Sequence, residues 1–169
     1  MADARTAFLI TTDKDHEGGF QKMPNDHANW SSGVIGEGTL VGTNFGITAL
    51  DMPGVDIEHL TQEQAIEFYI ERYWKSYYSQ IIDQNVANKL ADLGVLFGVG
   101  TAVGIMQLTL GVNVDHAFGP ATLAALNAAE PDSLLTHFKA NMMTHAFNVA
   151  TANPVERPNL PGWGRRINL

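Results

Sequence analysis

The sequence contains no cysteine. That excludes a disulfide framework, thiolate catalysis and thiolate-held metal, and leaves the redox compartment open. No apolar run approaches the roughly 20 residues of a membrane span, so no stable membrane insertion is expected. Positive charge is scarce, 10 Lys and Arg against 18 Asp and Glu, for a net charge of −8. Such a balance argues against the long basic surface that drives general nucleic-acid affinity, and no local basic patch replaces it. The N-terminus also lacks a convincing secretory signal, because Asp3 and then Thr11-Thr12-Asp13 bracket only a short apolar patch. What the chain does have is 45% hydrophobic residues over 169 positions. This suffices for one compact core and is too little for two ordinary domains.

Residues 20–56 are punctuated by Gly33, Gly36, Gly38, Gly42, Gly46 and Gly54, with Pro24 and Pro53, which reads as loops around a short hairpin. Thr39-Leu40-Val41 is one candidate strand, with a neighbour near Val34-Ile35 or Phe45-Gly46-Ile47-Thr48. Helical periodicity takes over from residue 57. Thr61 is placed to N-cap a helix with Gln64 as its capping-box partner. Val86, Leu90, Leu93 and Phe97 recur at steps of four, three and four, predicting an amphipathic helix over 84–97. A third helix is expected from Ala102 to Leu110, closed by Gly111, and a fourth begins at Gly119-Pro120. A fifth runs from about Asp132 to Ala150 with a stripe of Leu134, Leu135, Phe138, Met142 and Phe147. After it Pro154, Pro158 and Pro161 suggest an extended tail. The reading is a mainly α fold with a small glycine-rich β/loop lobe near the N-terminus.

The most informative local feature is Asp15-His16-Glu17-Gly18-Gly19, at the end of a first helix expected over residues 3–16. A carboxylic acid at the mouth of a cleft and against apolar side chains resists ionisation, and so can stay protonated near neutral pH as a glycosidase general acid must. On the residues alone an exposed helix-terminal glutamate before a glycine C-cap is the favoured reading of Glu17. Tyr69, Tyr73, Trp74, Tyr77 and Tyr78 crowd one stretch. Flat aromatic faces suit pyranose rings, but the helical spacing sends at least half of these into the core, leaving Tyr73 and Trp74 as the candidates for substrate contact. Trp30 is another candidate platform. The six histidines, among them His16, His27, His59 and His116, form no HExxH or comparable ligand spacing, and His137 and His145 lie eight apart on one helix. No metal and no cofactor are expected. Arg165-Arg166 reads as a solvated terminal pair.

Several motifs then recur in a telling order. They are Glu17-Gly18-Gly19-Phe20, Thr43-Asn44-Phe45-Gly46-Ile47-Thr48, Tyr73-Trp74, Val86-Ala87 through Asp92 to Gly98, Ala102 through Met106-Gln107 to Leu110-Gly111-Val112, Asp115 with Gly119-Pro120-Ala121-Thr122, and Gly162-Trp163 through Arg166. Each is weak alone, but together and in this order they resemble glycoside hydrolase family 108 over nearly the whole chain. The resemblance implies a single lysozyme-like muramidase domain over residues 1–169, with a catalytic lobe in 1–80 and a helical peptidoglycan-binding-like lobe in 81–169. Glu17 would protonate the β-1,4 bond between N-acetylmuramic acid and N-acetylglucosamine. Family members usually carry an aspartate nine positions after the glutamate, and Asp26 stands there. The segment from Asn29 to Gly38 is longer than the usual turn, so the second carboxylate is Asp26, Glu37 or neither. Thr43 to Thr48 corresponds to the cleft wall, where Gly46 lets backbone approach a sugar and the hydroxyls of Thr43 and Thr48 bond it or brace the turn. Leu96 and His116 depart from the asparagine and glycine common in the family.

The partners implied are peptidoglycan glycan strands. An acidic protein gains no long-range attraction to a negatively charged wall, so delivery is expected from a phage particle or through a membrane opened by a partner. A lytic transglycosylase and a non-catalytic structural or wall-binding phage protein are the rival readings.

Overall fold

The computed structural model describes residues 1–9, 11–12 and 19–169. Within them the fold is mainly helical, with one two-stranded sheet. The chain packs as two units, one comprising Met1–Ala7 with Tyr73–Leu169 and the other Phe8–Arg72.

The Phe8–Arg72 unit holds the glycine-rich lobe. Helix α1 (Ala4–Leu9) supplies Phe8 to it. The first helix was expected to reach residue 16, but Thr11 and Thr12 already lie in a turn. The Thr12 hydroxyl donates to Phe8 O at 2.8 Å, a local bond of the kind that competes with helix propagation. Strands β1 (Thr43–Asn44) and β2 (Ile47–Thr48) pair antiparallel with Thr43 opposite Thr48 and Asn44 opposite Ile47. Of the expected strand at Thr39–Val41 only Leu40 pairs, in an isolated bridge to Trp30; flanking glycines leave no run long enough to extend it. Helix α2 (Gln62–Tyr73) starts as its sequence indicates. Gln64 N donates to the Thr61 hydroxyl at 3.3 Å, and Gln64 Oε1 accepts from Thr61 N at 3.0 Å. It buries Ala65, Ile66 and Tyr69, which join Phe8, Phe45, Ile47 and Ile57 in the core of this unit.

The other unit is a helical bundle. Helix α3 (Gln84–Phe97) is N-capped by Asp83, whose carboxylate accepts from Val86 N at 3.0 Å. Helix α4 (Val99–Leu110) ends at Gly111 in the left-handed conformation, and α5 (Pro120–Ala128) opens with proline in its first turn. Helix α6 (Pro131–Ala152) buries Leu134, Phe138, Met142, Ala146 and Ala150 at steps of four. Phe147, expected in that stripe, is 53% exposed because it falls one position off the buried row.

The tail is not extended. A 3-10 helix over Pro154–Asn159 leads into α7 (Leu160–Asn168). Pro154 and Pro161 occupy first turns, where the missing N–H leaves no bond unmade, so these prolines start helices instead of preventing them. Helix α7 is anchored by charge. Arg166 Nε donates to Asp92 Oδ1 at 2.9 Å, Lys89 Nζ donates to Arg166 O at 3.1 Å, and Lys89 lies 3.5 Å from Asp92. Arg166 is therefore part of a largely buried cluster and not a solvated terminal charge. Burial pushes the Lys89 ammonium below its usual range, opposed by the Asp92 carboxylate beside it.

Candidate active site

The hairpin Thr43–Thr48 is the best-defined part of the site. Its two central residues, Phe45 at φ 52° and Gly46 at φ 74°, both lie in the left-handed region. This is the requirement of a tight two-residue hairpin turn. Glycine meets it without strain, but a bulky aromatic there costs about 1–3 kcal/mol and persists only if its surroundings fix it. They do: the Phe45 ring is 1% exposed, and its carbonyl accepts a buried hydrogen bond from Tyr69 Oη at 2.8 Å. Tyr69 in turn stacks on Phe8 with centroids 5.8 Å apart. The strained turn is thus bolted to α2, and Gly46 stands exposed at its tip with no side chain.

The threonines divide their roles. Thr43 is buried and exchanges backbone bonds with Gln21 at 2.8 and 2.9 Å. The Thr48 hydroxyl donates to Asp51 Oδ2 at 2.9 Å, and the same oxygen accepts from Thr48 N at 3.1 Å. That bond braces the turn. Asp51 Oδ1 also lies 3.4 Å from Arg72 Nη1 on α2. The sequence reading missed Asp51; its signal is the three-residue step from Thr48, the spacing at which an aspartate closes a local turn.

Asp26 caps the 3-10 helix His27–Asn29. Its Oδ1 accepts from Ala28 N at 3.0 Å and its Oδ2 from Asn29 Nδ2 at 2.8 Å. Asn29 is fully buried, and its carbonyl accepts from Val41 N and Gly42 N at 2.8 and 3.0 Å. Asp26 is therefore tied through Asn29 to the segment entering β1. Glu37 lies exposed in the longer loop, which is ordered by its own bonds, Ser32 Oγ to Glu37 O at 2.8 Å and Ser31 N to Thr39 O at 2.9 Å. Trp30 Nε1 donates to Pro24 O at 2.9 Å. Glu17 lies outside the described residues.

Asp26, Thr43, Gly46 and Thr48 thus belong to the Phe8–Arg72 unit, whereas Tyr73 and Trp74 belong to the other. Trp74 meets Tyr78 edge-to-face at 5.5 Å and donates from Nε1 to Ser79 Oγ at 3.0 Å. Both Tyr73 and Trp74 are half-buried.

Several motif residues of the C-terminal part form one hydrogen-bonded network around the buried Gln107 and Thr122. Gln107 Nε2 donates to Asp115 Oδ1 at 2.7 Å, Ala117 O at 3.0 Å and Thr122 Oγ1 at 3.0 Å, while its Oε1 accepts from Asp115 N and His116 N at 3.2 and 2.9 Å. The Asp115 carboxyl is held below its usual range by the bonds from Ala117 N and Gln107 Nε2. His116 takes φ 62°, and its ring lies so close over Gly104 that a Cβ there would come within 2.4 Å. These residues pin the α4–α5 loop.

Residues 12–98 match the sequence model of the family described as Glycosyl hydrolase 108. Residues 101–168 match one described as "Predicted Peptidoglycan domain". Among solved structures, that of Brucella abortus SagA is similar at a TM-score of 0.65 and 20% identity, covering 97% of this chain and 92% of that one. At that identity the likeness is one of fold. No curated protein matches the chain.

Proposed function

Because the chain belongs to the glycosyl hydrolase 108 family, a family of N-acetylmuramidases, we propose that this peptidoglycan-acting glycoside hydrolase cleaves the β-1,4 bond between N-acetylmuramic acid and N-acetylglucosamine, with Glu17 as general acid. The observation that carries the reading is the match over residues 12–98 followed by the peptidoglycan-domain match over 101–168. The geometry supports it where it is described: a fixed hairpin with an exposed glycine at its tip suits the approach of a sugar to backbone. In this reading Thr43, Gly46 and Thr48 form a wall of the substrate cleft, and Tyr73 and Trp74, in the other unit, are separate candidates for contact with pyranose rings.

Glu17 delivers its proton to the glycosidic oxygen as the bond breaks, so that the leaving sugar departs neutral, while charge develops on the anomeric carbon. Asp26 is the carboxylate assigned to that developing charge or to the attacking water. Both of its oxygens already accept local hydrogen bonds, which favours a positioned electrostatic role over attack. The same observation sustains a second reading, a lytic transglycosylase in which one glutamate acts as acid and then base and the muramic hydroxyl replaces water. Mass spectrometry of soluble fragments from purified peptidoglycan separates the two. Reducing ends establish hydrolysis, and anhydro ends, lighter by one water, establish the transglycosylase.

With a charge of −8, the chain is not drawn to an acidic wall from solution. Delivery as a phage endolysin, or as part of a phage particle, fits this balance. No helix among the described residues is long and apolar enough to cross a membrane.

A further inference from the structure

We propose that the cavity where α4, α5 and α6 meet is a second saccharide site, taking one N-acetylhexosamine unit of the glycan through its acetamido methyl and hydroxyl groups. The inference rests on the reading of the chain as a peptidoglycan hydrolase. The cavity measures about 320 Å³, at the small end of ligand pockets and suited to one sugar unit. It lies wholly within the helical unit and within residues 101–168, the part that matches the peptidoglycan-domain model.

Its lining combines two kinds of surface. Leu110, Ala125 and Leu134 give apolar walls, and Glu130, Ser133 and His137 give a polar edge. Glu130 is the N-cap of α6, its Oε1 accepting from Asp132 N at 3.1 Å and its Oε2 from Ser133 N at 2.7 Å. Those bonds fix the carboxylate in place while leaving each oxygen a lone pair for a further donor. They also occupy the N–H groups that would otherwise attract an anion at this helix start. His137 Nδ1 lies 2.8 Å from Ser133 O. A carbonyl only accepts, so Nδ1 carries the hydrogen in this contact and the ring is held in one orientation at the cavity edge. Behind these, Asn141 Nδ2 donates to the Thr109 hydroxyl at 2.9 Å and that hydroxyl donates to Ile105 O at 2.7 Å, stiffening the floor between α4 and α6.

An edge rich in acceptors with a fixed carboxylate selects a ligand rich in donors and without negative charge. Sugar hydroxyls and an acetamido N–H fit that description, and the carboxylates of the peptide stems do not. The small apolar wall takes the acetamido methyl.

The test is an amide NMR titration of the full chain with N,N′-diacetylchitobiose, beside Ala128→Trp, which fills the cavity from an exposed position, and Glu130→Gln, which keeps a cap acceptor but removes the charge. The expected result is shifts clustered over residues 125–137, with binding weakened about ten-fold or more by Ala128→Trp and less by Glu130→Gln. Should Ala128→Trp fail to fold, the shift map and Glu130→Gln decide. Shifts confined elsewhere, binding unchanged in both variants, or the same residues responding to a purified stem peptide and not to the saccharide would overturn the proposal. Muropeptide release by the wild-type chain is measured in parallel. Its absence counts against the hydrolase reading, whereas the titration reports on the cavity.

Discussion

Phe45 shows how a single residue ties fold to site. Its ring fills the core of its unit, its backbone stands at φ 52°, and its carbonyl is held by Tyr69. Phe45→Ala should therefore cost about 3–5 kcal/mol in urea unfolding, the range for truncating a buried aromatic. Tyr69→Phe should cost about 1 kcal/mol by removing the hydrogen bond to that carbonyl. A second residue-scale test concerns pH. Burial against Phe97, 5.2 Å away, holds the His145 imidazole below its usual 6.5. On acidification the unfolded chain takes up the proton first, so the contribution of this group is present above 6.5 and is lost as pH falls through the lower folded value. Thermal midpoints should drop between about pH 7 and 5 and drop less in His145→Gln. Phe45 was legible as part of a motif, but its left-handed backbone was not, because only the tertiary hold of Tyr69 makes that conformation tolerable. Asp51 and Asn29 were missed for a related reason, since their work is hydrogen bonding to partners that the sequence does not mark.

Helix starts and stops were legible where local chemistry sets them. The Thr61–Gln64 box, the spacing over 84–97, Gly111 and Pro120 all fall where the side-chain or backbone rule places them. The C-terminal prolines misled because the same residue both breaks a helix interior and opens a first turn, and only packing decides which. Ile167, fully buried, and Trp163, 5.3 Å from Phe97, supply that packing for α7. The cluster of Lys89, Asp92 and Arg166 locks it. Arg166→Ala leaves Asp92 with one cationic neighbour fewer in a largely buried place, and should cost about 3 kcal/mol. Guanidinium chloride unfolding would check this, and a cost near zero would make the cluster incidental.

For the whole molecule, the net charge of −8 sets how the protein meets its substrate. Binding to purified acidic wall should strengthen as salt rises from about 10 to 150 mM, because screening shortens the repulsion from about 30 Å to about 8 Å; sedimentation with insoluble wall measures it. The family match and the peptidoglycan-domain match together account for nearly the entire chain, and the ordered motifs made that assignment readable from the sequence. They did not show which carboxylates face the sugar, which depends on distances between side chains. The central claim is that Glu17 donates the proton that breaks the glycan. The most direct measurement is mass spectrometry of fragments released from purified peptidoglycan by the wild-type chain and by folded Glu17→Gln, a near-isosteric change that removes the proton donor. The account predicts reducing muropeptides from the wild type and a loss of about 10²-fold or more in the variant. Equal release from both would contradict the assignment of Glu17, and no release from either would contradict the hydrolase reading itself.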